Sequence, residues 1–197
     1  MTVQSKNNAI DLLLAESLKE IAITKPIEKI TIREITDRAG VIRPTFYNHF
    51  QDKYELLEWI VQNDLVGPMD PFIRRGMLKE GLTLALKNME REKAFYIQAV
   101  HLEGQNSFHD ILKRSARDLI LSYMKDREYE QVQKYEWLTN EKIADFYAES
   151  ISYIITTWAL ESMKAPESEV SEVCVYLYGH SIADVLNGQR SKQLGSR

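Results

Sequence analysis

The sequence predicts an all-α protein: an N-terminal three-helix domain of helix-turn-helix type, followed by a C-terminal helical bundle. Three observations predict it. Proline and glycine are scarce, 5 and 8 in 197 residues, which disfavours turn-rich β structure. Apolar residues recur at helical spacing along most of the chain. The densest cluster of breakers, Gly67-Pro68-Met69-Asp70-Pro71, divides residues 1–66 from residues 67–197.

The first helix is predicted over 8–24, with Ile10, Leu13, Leu14, Leu18 and Ile21 on one face. Pro26 ends it by pushing Lys25 out of the α region. The run Ile30 to Ile35 alternates like a strand, but Thr31 and Glu34 have the spacing of a capping box. Ile32, Ile35 and Ala39 then continue at helical spacing, and Gly40 stops the helix where a left-handed backbone is easiest. A short helix follows over 43–49, with Pro44 in its first turn and Phe46 and Phe50 on one face. Asp52 caps the next helix, with Glu55 completing a second box, and that helix extends to about Val66. Five more are predicted at roughly 72–90, 92–103, 107–128, 140–163 and 167–187, and residues 188–197 are predicted to fray.

Helix, glycine turn, short helix and capped helix follow one another over 31–53 in the order a helix-turn-helix needs. The second helix is short and steeply held, so that its leading residues reach base edges in the major groove. Val41, Phe46 and Phe50 anchor it from behind; Arg43, Thr45, Tyr47, Asn48 and His49 face outward with donors for phosphates and bases. Net charge is −4, yet residues 25–53 hold six Lys/Arg against four Asp/Glu, so the basic balance falls on this stretch.

Ala39-Gly40-Val41, then Thr45 to Phe50, then Asp52-Lys53, resembles the DNA-binding signature of the TetR/AcrR regulators over about residues 8–66. The resemblance implies backbone contacts at Thr31, base reading around Arg43, Pro44 and Thr45, and phosphate contacts from Tyr47, His49 and Lys53, with Asn48 beside them. It implies double-stranded DNA with a palindromic operator as partner, and a homodimer formed through the last two long helices. Ile151, Ile155, Trp158, Val173 and Leu177 are the candidate dimer residues, on the two longest terminal amphipathic segments. Ile42 departs from the family, which usually has a small polar cap there; isoleucine cannot cap.

The implied activity is repression relieved by a small molecule in the C-terminal bundle. Tyr96, His101, Phe108, Tyr123, Phe146, Tyr147 and Trp158 are the candidate pocket residues, each with plain helix-bundle core as its competing reading. The C-terminal half resembles regulators of dihydroxyacetone-kinase operons in low-GC bacteria. That likeness implies an alternative, a TetR-like activator or regulator controlled by a protein coactivator.

Other function classes find little support. The single cysteine, Cys174, excludes an internal disulfide and a Cys-cluster zinc site. His101 and Glu103 echo the His-x-Glu of zinc deaminases without the paired cysteines. His101 with His109 as a metal pair has no further ligand pattern behind it. No nucleotide-binding, metalloprotease or hydrolase motif is present, so no enzyme activity, cofactor or metal is expected. No apolar run reaches the roughly 18–20 residues of a membrane span, and the first residues are polar, so a cytoplasmic protein is expected.

Overall fold

The computed structural model describes residues 3–104, 106–125 and 134–186, and among these the chain is helical with no strand. Helix α1 (Val3–Ala22) buries Leu14, Ala15, Leu18 and Ala22, while Leu13 lies on its outer side. Helix α2 (Ile32–Ala39) begins with the predicted box: the Thr31 hydroxyl accepts the Glu34 amide at 3.2 Å, and the Glu34 carboxylate accepts the Thr31 amide at 2.9 Å. Gly40 closes it with φ of 69°, a conformation that strains any residue with a Cβ.

Helix α3 (Arg43–Tyr47) carries Pro44 in its first turn, where no intrahelical hydrogen bond is lost. In α4 (Lys53–Val61), Asp52 caps as expected, its carboxylate accepting the Tyr54 and Glu55 amides at 2.7 and 2.9 Å. Glu55 reaches the Gln51 amide, one residue earlier than a capping box requires.

Beyond α4 the helical path widens into a π turn (Gln62–Val66), tightens into a 3-10 turn (Gly67–Met69) and ends in the short α5 (Asp70–Ile73). The proline-rich cluster thus bends the path without unwinding it, because Pro68 and Pro71 both sit in first turns. The sharper interruption is Gly76, φ 72°, which separates α5 from α6 (Leu78–Arg91) and breaks the helix expected over 72–90.

Helices α7 (Lys93–Ala99), α8 (Phe108–Met124), α9 (Asn140–Leu160), α10 (Glu167–Gly179) and α11 (Ile182–Leu186) follow. The segment expected as one helix over 167–187 is two. Ser181 starts α11 by accepting the Asp184 amide at 3.2 Å while Asp184 accepts the Ser181 amide at 2.9 Å. The fraying expected for residues 188–197 lies outside the described residues.

Buried side chains form one connected core from Leu14, Leu18, Ile35 and Phe46 through Leu57, Val66 and Leu86 to Tyr96, Phe108 and Trp158. Helix α9 runs along α8, whereas α10 packs chiefly on α6. Between α9 and α10 the chain turns through Ser162 and Met163, both left-handed at φ 61° and 50°. The Trp158 indole N–H fastens that turn by donating to the Ala165 carbonyl at 2.9 Å.

Candidate nucleic-acid interface and the cavity behind it

Helix α3 is held by its inner face. Phe46 is fully buried against Phe50, ring centroids 5.9 Å apart, and Phe50 meets Trp59 of α4 edge-on at 6.3 Å. The outer face is left to Arg43, Pro44, Tyr47 and Asn48, all exposed, with Thr45 half-buried beside them. Arg43 and Tyr47 lie one helical turn apart and are paired. The guanidinium donates to the Tyr47 hydroxyl at 3.3 Å and lies 5.9 Å from the ring centre. This is a compact donor-rich surface on a rigid base.

Three other residues expected to touch DNA are engaged within the protein. The Thr31 hydroxyl belongs to the α2 cap and donates to Glu34 at 2.8 Å. Glu34 in turn takes the Lys25 ammonium at 2.6 Å, and these hydrogen bonds, Lys25's foremost, bring its carboxyl down to about 2. The Lys53 ammonium donates to the carbonyls of Glu28 (2.6 Å) and Ile30 (2.8 Å), which fastens α4 to the turn before α2. Burial there lowers its pKa from the ordinary lysine value. His49 is the least accessible: its side chain is 10% exposed and its Nδ1 lies 2.7 Å from the Asp11 carboxylate of α1. The structure therefore brings Arg43, Pro44, Tyr47 and Asn48 together on the surface, ties Thr31 into the α2 cap and Lys53 to the turn before it, and turns His49 inward.

Behind the head formed by α1–α4, helices α6, α8, α9 and α10 frame a partly open cavity of about 250 Å³ with the π turn among its walls. Leu65, Val66, Leu82, Leu86, Met89, Leu112, Ala116, Leu119, Ile151 and Ile155 line it, and Tyr147 and Tyr178 supply the aromatic edge. The Tyr178 hydroxyl accepts from Ser150 at 3.3 Å, and burial pushes its pKa up to about 12.

Of the seven pocket residues expected from sequence, Tyr147 is on this cavity. Tyr96 and Phe108 are fully buried core, packed edge-to-face at 5.8 Å. Tyr123 donates to the Asp70 carboxylate at 2.6 Å, Trp158 fastens the α9–α10 turn, and His101 and Phe146 are exposed. The physical reason is size: large rings fill the space they face, and a void persists where small aliphatics face one another. The sequence signal for the cavity is the Leu78, Leu82, Leu86 repeat of α6, which carries no aromatic residue.

The five expected dimer residues divide likewise. Ile151 and Ile155 face the cavity and Trp158 is buried, because α9 turns that side toward α8. Val173 and Leu177 are exposed. The outward side of α9 instead presents Phe146, Tyr153 and Leu160 at seven-residue spacing, and α10 presents Val173, Tyr176 and Leu177. A shallow groove runs between α9 and α10, with Tyr153 and Val173 among the residues lining it.

A second cluster has no sequence signal. Lys19 of α1 has a side chain only 7% exposed, with its ammonium 2.7 Å from Asp64, 3.1 Å from Glu16 and 3.6 Å from Glu92. The Tyr96 hydroxyl is buried there too, and burial together with Asp64 and Glu92 pushes its pKa well above 10. Among the described residues, no group of three or more His, Cys, Asp or Glu is placed to hold a metal ion, and no helix is long and apolar enough to cross a membrane.

Comparison with known proteins gives these features a context. Residues 16–60 match the family described as bacterial regulatory proteins, tetR family, and residues 77–178 match one described as transcriptional regulator C-terminal region. The chain is 28% identical over 100 residues to the HTH-type dhaKLM operon transcriptional activator DhaS of Lactococcus lactis subsp. lactis (strain IL1403). That match covers 51% of this chain and 53% of the relative, about half its length. Among solved structures, the dihydroxyacetone kinase operon activator DhaS superposes with a TM-score of 0.58 at 22% identity, over 85% of this chain and 93% of that one. Thermus thermophilus FadR, a TetR-family transcriptional repressor in complex with lauroyl-CoA, gives 0.58 at 16% identity, over 95% and 98%. At these identities the structural likeness speaks for the fold.

Proposed function

The chain belongs to the TetR family of bacterial transcription regulators, and from that premise we propose that it is a dimeric repressor released from a palindromic operator by a small molecule. Residues 1–66 grip the DNA and residues 67–197 dimerise and take the ligand. The observation that carries the reading is the exposed Arg43–Tyr47 pair on a helix anchored by Phe46. A helix so placed offers its leading residues to base edges, while the residues around it meet phosphates.

Selection of bound sequences from random DNA tests it, with a two-fold symmetric site as the expected result. Arg43→Ala should then relax preference at one position per half-site, by roughly 1–3 kcal/mol against the right base, and leave non-specific affinity nearly intact. Lys53→Ala should weaken all sequences alike and flatten the salt dependence by about one unit for each phosphate it no longer neutralises. Because Lys53 also holds the Glu28 and Ile30 carbonyls, its melting temperature should fall as well; the salt slope separates the two effects. If Lys53→Ala changes base preference while Arg43→Ala weakens every sequence equally, the helix docks the other way round.

The cavity's aliphatic lining favours an uncharged apolar ligand, since a buried charge would find no partner there. Apolar cavities of about 150 Å³ stay dry and take up benzene, so this larger one suits a medium-length alkyl chain. The lauroyl-CoA held by Thermus thermophilus FadR supports treating such a cavity as a ligand site. A medium-chain alcohol should raise the melting temperature, by about 2.7 kcal/mol of stability at a hundred times its Kd, and weaken operator binding; Ala116→Phe should abolish both effects. The likeness to the transcriptional activator DhaS supports a second reading, in which this chain activates transcription, with a protein coactivator in place of the small molecule. A cavity that takes up none of a series of alkyl alcohols would weigh toward it.

A further inference from the structure

We infer that Ile42 reads a thymine, its side chain packing on the 5-methyl group of one dT in each operator half-site; this rests on the DNA-binding reading above. Ile42 lies in the turn that leads into α3, in extended backbone at φ −88° and ψ 152°, and its side chain makes no capping hydrogen bond. It is 69% exposed. Its neighbours Arg43 and Pro44 are exposed too, and Arg43 and Tyr47 make this face one of hydrogen-bonding groups.

Two local rules are broken at this one position. Pro44 has no N–H, so the amide within a cap's reach is that of Thr45, which donates to the Ile42 carbonyl at 2.9 Å; a serine, threonine or aspartate here would share it and add at most roughly 1 kcal/mol. Isoleucine forgoes that bond and also leaves a branched four-carbon side chain in water, where burying it would be favourable. A position that departs from local preference twice, beside the residues aimed at the groove, fits a part played in recognition.

The chemistry selects the partner. Isoleucine has no donor, so it cannot hold a phosphate or a base edge by hydrogen bonding. In the major groove the feature that rewards an aliphatic side chain is the thymine 5-methyl group. The side chain is free to meet one because the protein leaves most of it uncovered.

The test exchanges each dT of the selected operator for dU, one position at a time and in both half-sites together. The exchange deletes one methyl group and leaves base pairing intact. Burial of a methyl-sized group corresponds to roughly a threefold to fivefold affinity change per half-site, so one position should weaken wild-type binding by roughly 10- to 25-fold on the full palindrome. Ile42→Ser and Ile42→Ala should bind the dT and dU operators equally while keeping the base preference assigned to Arg43. Ile42→Ser should melt no lower than wild type, since it gains a cap, which excludes misfolding as the cause. The inference is overturned if dU is tolerated at every position by the wild type, or if Ile42→Ser stays as sensitive to the exchange. If selection recovers no preferred sequence at all, it is the DNA-binding reading that falls, and the two failures are distinct.

Discussion

Lys19→Ala is expected to lower stability by roughly 1–3 kcal/mol: its ammonium is buried against Asp64, while Glu16 and Glu92 are 56% and 39% exposed and keep part of their water. Lys19 lies in a nearly closed site, and Asp64, Glu16 and Glu92 are all arranged around its ammonium. Burial alone would depress its pKa, but the hydrogen bonds and charges of Asp64, Glu16 and Glu92 outweigh that and leave it raised. The sign follows: a lysine whose folded pKa exceeds 10.5 contributes stability that is fully present below that pH and is lost as pH rises through the folded value. Without the ammonium, Asp64 would keep a carboxylate beside the buried Tyr96 hydroxyl with no cation to face. The paired change Lys19→Met with Asp64→Leu should recover most of the loss, because an apolar replacement of both partners removes the stranded charge. Urea melts of the single and double variants at neutral pH, and of the wild type above pH 10.5, measure this. A Lys19→Ala protein melting with the wild type would mean that water already shares the site.

The same cluster has a mechanical consequence. Asp64 lies in the π turn, and the next two residues, Leu65 and Val66, wall the cavity. Asn88 of α6 donates to the Asp64 carbonyl at 2.8 Å. One turn of helix therefore touches α1 on one side and the cavity on the other, and it has the wide hydrogen-bond ring that π turns introduce at functional sites. The same turn is thus shared by the Lys19 cluster and the cavity wall.

What is legible in the sequence is local. Thr31 with Glu34, Gly40, Pro44 and Asp52 each state their structure within four residues, and all of them stand where the spacing puts them. Phe46 and Phe50 are legible as an anchor because a four-residue spacing in a short helix leaves one buried side. Gly76 and Ser181 are also local signals, but each sits inside a stretch with otherwise helical periodicity, which masks them. The rest is not local. His49 meets Asp11 across 38 residues, and Lys19 meets Asp64 across 45, with no period to announce either. A cavity is harder still, since it is defined by volume that four helices together fail to fill. For α9 the periodicity is visible but both of its sides are apolar, so sequence does not say which side turns inward.

That ambiguity sets the last expectation. Tyr153→Glu combined with Leu177→Glu should split the proposed dimer and leave the protomer folded. Tyr153 is 65% exposed and Leu177 is 42% exposed on the outward sides of α9 and α10, so neither carboxylate disturbs the protomer's own core. In a two-fold symmetric pair each substitution would occur twice, and four new carboxylates would lose their water together. Ile155→Asp makes the contrast: at 6% exposure and lining the cavity, it should unfold the protomer and leave no clean monomer. Two heads bind a palindrome as one ligand only while they are joined about 34–36 Å apart. Separating them should weaken operator binding on the order of 10²–10⁴-fold with no base contact changed. Sedimentation at micromolar concentration, melting curves and operator titrations read the three quantities separately. A double variant that sediments as the wild-type dimer would place the interface on another face, and a variant that is monomeric yet binds the palindrome undiminished would mean that dimerisation contributes nothing to recognition.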